Sequence, residues 1–456
     1  MPDALPWHRL QFAFTITYHY LFPQLTMGLA PLIVLWKWLG LRTGEPHWDE
    51  SARFWSRILG LTFALGVVTG LPMEFQFGTN WSYFSRYAGG VIGQTLAMEG
   101  MLAFLLESAL IAALVFGERR FSRKAHFTVA AGVCAGAWIS AFFILVTNAF
   151  MQYPKGYTLG IEGQLVLSDI GSYLFNAWTV VEFAHNQLAA LVTAAFVVSA
   201  TGAYYTLRGL HREQSRIFLT WGTAMGLGAS VLVAWPTGDA QAKLVARHQE
   251  VSLAAMEGRF ESGPMAPITM IGQPDVAAKR LDNPIRLPGL LSFLAYGTFH
   301  GNVRGLGAFP RELWPTEIEL LYYAFHVMAG LGTLFVLLTA IGTALSWRGT
   351  LESRRWMLWA LLLAFPFPFI ANTAGWMTAE LGRQPWLIYG ILRTSDGASA
   401  VVSAGNAIFT LIGFCGLYLV LGILYLYMVS REIERGPGPA APAPGEMAVT
   451  EGAQGD

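Results

Sequence analysis

The chain has 456 residues, of which 54% are hydrophobic, 14% aromatic and 13% charged, too apolar a mixture for an ordinary soluble domain. The formal net charge is zero, so no basic excess points to nucleic acid. The two cysteines, Cys134 and Cys415, both lie in apolar runs, which excludes a disulfide framework or a cysteine metal cluster.

The opening residues Met1 to Gln11 include Pro2, Pro6, His8 and Arg9. They lack the charged start, short apolar core and small-residue exit of a cleaved signal peptide, so the first helix is expected to stay in the mature protein. Runs long enough to cross a hydrocarbon core of roughly 30 Å fall at about 11–36, 55–77, 94–117, 125–149, 179–206, 217–235, 319–346, 356–378 and 401–429. The expected fold is therefore all-α and polytopic, with nine transmembrane helices and one long outer loop. Pro23 and Pro31 in the first run and Pro366 and Pro368 in the eighth are compatible with this, because packed membrane helices tolerate proline.

Lysine and arginine set the orientation. Sixteen of them, from Lys37, Arg42, Arg53 and Arg57 through Arg119 to Lys124 and on to Arg431 and Arg435, mark one set of helix ends. The opposite short connections hold only Arg9, Arg86, Lys155, Arg383 and Arg393. The positive-inside rule then makes the C-terminus cytoplasmic and puts the N-terminus and the long loop outside. The chain divides into six spans over 1–235, the outer loop over 236–318, three spans over 319–435 and a Pro-, Ala- and Gly-rich tail over 436–456 expected to be disordered. Within the loop, Gly238 to Glu257 reads as helix, followed by turns at Gly263-Pro264, Pro267, Pro274, Pro284 and Pro288-Gly289.

Ionisable residues inside the spans are functional candidates by default, because an unpaired charge there is costly. His19 lies about eight residues into the first run, Glu99 about five into the third, His185 about six into the fifth and Met328 about nine into the seventh, while Glu380 ends the eighth. All five fall in one depth band in the outer half of the membrane. Taken singly, each has a plainer reading: a histidine bonded to the next helix, a methionine filling a gap, a carboxylate paired with an arginine. Their shared depth favours ligation, since His facing Met is an axial pair for a low-spin haem and a lone His or carboxylate leaves iron open to oxygen. Glu107, eight residues beyond Glu99, and Ser140 on the next helix reach near mid-membrane, where acid chains mark proton relays.

The most distinctive stretch is Gly375-Trp376-Met377-Thr378-Ala379-Glu380-Leu381-Gly382-Arg383-Gln384-Pro385-Trp386. Together with His19, the Glu99–Glu107 helix, His185, Phe325-His326-Val327-Met328-Ala329-Gly330 and Gln249 to Glu257, it resembles subunit I of the cytochrome bd-type quinol oxidases. The resemblance covers all nine spans and implies three haems. His185 and Met328 match the axial pair of a low-spin haem b. His19 and Glu380 match the ligands of a high-spin haem b and a haem d, or a further haem b in its place, with Glu99 beside them as a further iron ligand or proton-transfer group. Trp376 matches a tryptophan between haems, Arg9 falls among the cofactor-binding positions, and Arg383 reads as a counter-charge to a carboxylate or propionate rather than as the mate of Glu380. Glu107 and Ser140 match a cytoplasmic proton route, and Glu257 the loop acid that takes a proton from quinol.

The chain departs from the family pattern at Ser252, where many members have lysine, at Glu250 in place of proline, and at His326 in place of arginine. Its loop resembles the short-loop subgroup, which includes cyanide-insensitive oxidases. The implied activity is oxidation of membrane quinol and reduction of O2 to water in the bacterial inner membrane, building a proton gradient without pumping. The implied partners are a second multi-span subunit and a small single-span subunit. A proton-coupled secondary transporter and a haem electron-transfer subunit without oxygen chemistry are the other classes that use some of the same residues.

Overall fold

The computed structural model describes residues 4–438, and the side chains of residues 102–104 lie outside that description. The expected tail falls outside it too, apart from Gly436, Pro437 and Gly438. Among the described residues nine helices are long and apolar enough to cross a membrane, as the apolar runs require. In chain order these spans are Leu5–Thr43, Pro46–Thr79, Ser82–Phe116, Arg123–Gln152, Ile170–Arg208, Arg212–His248, Ile318–Trp347, Arg355–Arg383 and Ala404–Arg435.

Most helices outrun the apolar stretches that announce them, because their polar ends continue past the hydrocarbon. The third begins at Ser82, so Glu99 stands more than four turns into it rather than the expected five residues. The sixth continues through a π-helical stretch, Val233–Gly238, to His248. The eighth is interrupted: Arg355–Leu363 and Phe367–Arg383 are separate helices, with Pro366 and Pro368 withdrawing amide donors at the junction.

The first helix packs along the second, fourth and fifth, and the fifth lies against the sixth and eighth. A core of Leu29, Ile33, Trp36, Phe54, Trp55 and Phe218 joins the first, second and sixth spans. A second core joins Val192 and Phe196 of the fifth span to Ala229, Phe335 and Ala371 of the sixth, seventh and eighth. The seventh span packs on the sixth and on Phe367–Arg383, so the helices of His185 and Met328 line the same pair of neighbours.

The face opposite the long loop is held by ion pairs. Glu118 accepts from Arg53 Nε at 2.5 Å and from Lys37 Nζ at 3.0 Å. Burial alone would raise its pKa, but the bonds and charges of Arg53 and Lys37 outweigh burial and hold the carboxyl down to about 2. On the loop face, Glu250–Met256 packs on the seventh and eighth spans, and strands Ile268–Asp275 and Arg280–Leu287 form a hairpin against the seventh span, with a register shift between Thr269 and Ile271. Val251, Leu253, Met256, Phe260, Leu291 and Trp314 bury a core of the loop's own.

Candidate functional site

Depth is fixed by hydrogen bonds between helices. Asn148 donates to Glu380 Oε1 at 2.9 Å, and beside Asn148 the Thr147 hydroxyl meets that of Thr95 at 2.7 Å. Thr95 of the third span, Asn148 of the fourth and Glu380 near the end of the eighth are therefore level there. Glu99 lies one turn below Thr95, and Gly375 lies between one and two turns below Glu380, against the Met328 sulfur. Glu380, Glu99 and the Met328 sulfur thus lie within a layer roughly 5–8 Å thick.

Within that layer the side chains form two groups. In the first, His19 Nδ1 lies 3.2 Å from the Thr69 hydroxyl of the second span, and Glu99 is within electrostatic reach of Glu74 and Glu107. In the second, Glu380 is bound to Arg383, whose Nη1 donates to Oε1 at 2.9 Å and whose Nη2 reaches Oε2. Glu182 of the fifth span lies within electrostatic reach of both. Between the groups, the Trp376 ring stands 6.4 Å from that of Tyr20, the neighbour of His19.

The pairing of Arg383 with Glu380 corrects the expectation that the arginine serves another anion. Arg383 is only 2% exposed, and a buried guanidinium takes a carboxylate one turn away on its own helix when their geometry permits two bonds. Arg9 is also placed differently from a buried ligand: its guanidinium reaches the Thr316 hydroxyl at 3.4 Å on the loop face. Glu107 is buried against Gly136, where a built Cβ would lie 3.5 Å from its own Cβ. Ser140 follows Gly136 by one turn on the same helix, towards the loop face, and is half-buried.

His185 leans on the π-helical stretch of the sixth span, its Nδ1 3.3 Å from the Thr237 hydroxyl. Two glycines make room for ligand-type side chains: a Cβ on Gly375 would lie 3.0 Å from Met328 Sδ, and one on Gly70 2.8 Å from His19 Cε1. Several buried polar atoms in this layer have no protein partner, among them both carboxylate oxygens of Glu182, Asn148 Oδ1, Arg383 Nε and the Tyr20 hydroxyl. Buried polar atoms are ordinarily paired. Imidazole, thioether and carboxylate donors on separate helices, with a buried arginine, fit haems, each of which needs only one or two protein ligands. Among the described residues no three His, Cys, Asp or Glu side chains gather to hold a bare metal ion.

In the loop, Glu257 is 3% exposed and accepts from the Thr269 amide at 3.4 Å. Burial pushes its carboxyl up to about 8, against smaller opposing effects of that amide and of Arg259. The departures from the family pattern have structural uses. The Ser252 hydroxyl donates to Gly382 O at 2.5 Å, and Glu250 pairs with Arg304 at 2.9 Å. His326 directs its ring nitrogens at Tyr322 O and Thr269 O. Reading the sequence passed over Glu74 and Glu182, although each is an acid inside a predicted apolar run and could have been found by the rule that found Glu99.

The fold and site define a multi-pass membrane protein built around an intramembrane layer of ligand-type and ionisable side chains. Residues 7–437 match the family model for cytochrome bd terminal oxidase subunit I, and the chain belongs to that family. It is similar to cytochrome bd ubiquinol oxidase subunit 1 of Bacillus subtilis, at 34% identity over 94% of this chain and 93% of the relative. It is also similar to cytochrome bd-II ubiquinol oxidase subunit 1 of Escherichia coli, at 32% identity over 96% and 98%. The solved bd oxidase of Geobacillus thermodenitrificans superposes with a TM-score of 0.89 at 31% identity, covering 95% of this chain and 99% of that one. The chain is thus a haem-carrying subunit of a terminal respiratory oxidase that works with other subunits.

Proposed function

We propose that this subunit oxidises membrane quinol at its loop face and carries three haems, in an oxidase of the short-loop, cyanide-insensitive subgroup. The observation that carries the quinol reading is Glu257: a nearly fully buried acid in the loop whose main neighbours are a backbone amide and an arginine. His185 and Met328 would hold a low-spin haem b. His19 and Glu380 would hold the high-spin haem b and the haem d, or a further haem b in its place, with Glu99 adjoining. When bound, these groups supply electron transfer from quinol and reduction of O2 to water.

The residues of the chain do the rest. Glu257 accepts a quinol proton and releases it on the outer side. Arg383 and Trp376 shape the wall between the two groups of ligands. Glu107 holds a proton arriving from the cytoplasm and Ser140 passes it towards Glu99, so a gradient forms without pumping. The N-terminus and loop face the outside of a bacterial inner membrane, as the arginine and lysine count supports, and the partners are a second multi-span subunit and a small single-span one.

In the purified complex, a soluble quinol is expected to drive oxygen consumption, with haem found by pyridine haemochrome. Haem without oxygen consumption would leave only an electron-transfer role. The pH dependence follows from Glu257, which must be deprotonated to act as a base and which holds its proton up to about 8. Quinol oxidation is therefore expected to rise by up to about tenfold per pH unit as pH climbs towards 8. In Glu257→Gln that limb should be flat, and a limb that persists in the variant assigns the titration to another group.

A further inference from the structure

We propose that His326 is a positioning residue for Glu257, acting through the backbone of Thr269. The inference rests on the reading of Glu257 as the acid that takes the quinol proton. Thr269 is the link, because its two main-chain groups are bonded to the two residues: its amide donates to Glu257 Oε2 at 3.4 Å, and its carbonyl oxygen lies 2.9 Å from His326 Nε2.

The geometry of an extended chain joins these two bonds. The N–H and C=O of one strand residue point to the same edge, so an edge anchored by its carbonyl also has its amide aimed. The register shift between Thr269 and Ile271 loosens the ladder at this point, as a bulge does, and the partner strand alone does not fix that edge. His326 supplies the missing anchor. Its Nδ1 lies 2.8 Å from Tyr322 O on its own helix, and its ring is stacked 3.9 Å from that of Tyr322, centroid to centroid. Both carbonyls can only accept, and the tautomer with its proton on Nε2 donates to Thr269 O. A long bond of 3.4 Å to a nearly fully buried carboxylate is sensitive to small movements of its donor, and His326 sets that donor relative to the seventh span.

The test uses the intact multi-subunit oxidase. His326→Phe keeps a ring against Tyr322 and removes the ring nitrogens, while His326→Gln keeps a side-chain N–H that can reach Thr269. His326→Phe is expected to lower kcat with quinol about tenfold, with KM changed less than twofold, and His326→Gln to recover most of the loss. The reduced-minus-oxidised spectrum of the low-spin haem should be unchanged in both. Combined with Glu257→Gln, His326→Phe should add nothing further, the non-additivity expected of residues that act together. Wild-type turnover in His326→Phe, a loss that multiplies with that of Glu257→Gln, or a missing low-spin spectrum would each overturn the positioning role. Wild-type quinol turnover in Glu257→Gln would instead overturn the reading of Glu257 on which it rests.

Discussion

Met328→Leu is expected to remove the low-spin haem signal from reduced-minus-oxidised spectra and to lower quinol-driven turnover by about 100-fold or more. Leucine is close to methionine in volume, so the packing of the seventh span should survive. What it lacks is the sulfur, which in this structure lies against Gly375, on the helix that also carries Trp376 and Glu380. Loss of a residue that only supports a ligand typically costs 10–100-fold, and removal of a ligand itself should cost at least the upper end of that range. An unchanged spectrum in a folded, haem-loaded complex would refute the ligand role of Met328.

Glu107→Gln is expected to cut oxygen reduction by about 100-fold, the lower end of what a positioned proton donor contributes. The substitution preserves shape at a site that is 7% exposed and packed on Gly136, so the loss would reflect titration rather than folding. Glu107 lies nearest the face of Lys37, Arg53 and Glu118, Ser140 lies one turn towards the loop, and Glu99 lies beyond it. That order suits delivery from one face only. Proton uptake by proteoliposomes should fall in step with turnover, and wild-type turnover in the variant would remove Glu107 from the route.

The nine spans were legible because an apolar run of membrane length has few other uses; the break in the eighth at Pro366 and Pro368 was hidden, since packed membrane helices also tolerate proline. The true start of the third helix at Ser82 was not, since Ser82, Ser85 and Arg86 are polar and helical packing alone carries them. The bond from Ser252 to Gly382 and the bonds of His326 were also hidden. Each depends on a loop folding back onto a span some 60 to 130 residues away in sequence, and no local pattern encodes that. Glu182 was visible as an acid among apolar neighbours, but its meaning depends on Glu380 and Arg383, which come from another helix.

The π-helical stretch Glu99–Phe104 changes the rotational phase of the third span. On a regular α-helix, side chains eight residues apart are offset by roughly 80° around the axis, so Glu99 and Glu107 would look towards different neighbours. Wider turns rotate the chain less per residue, which swings the two acids towards a common azimuth and shortens the climb between them. A single unit of helical phase thus brings two separate carboxylic acids towards one wall, and the length of this stretch becomes as much a part of the proposed proton route as the two acids themselves.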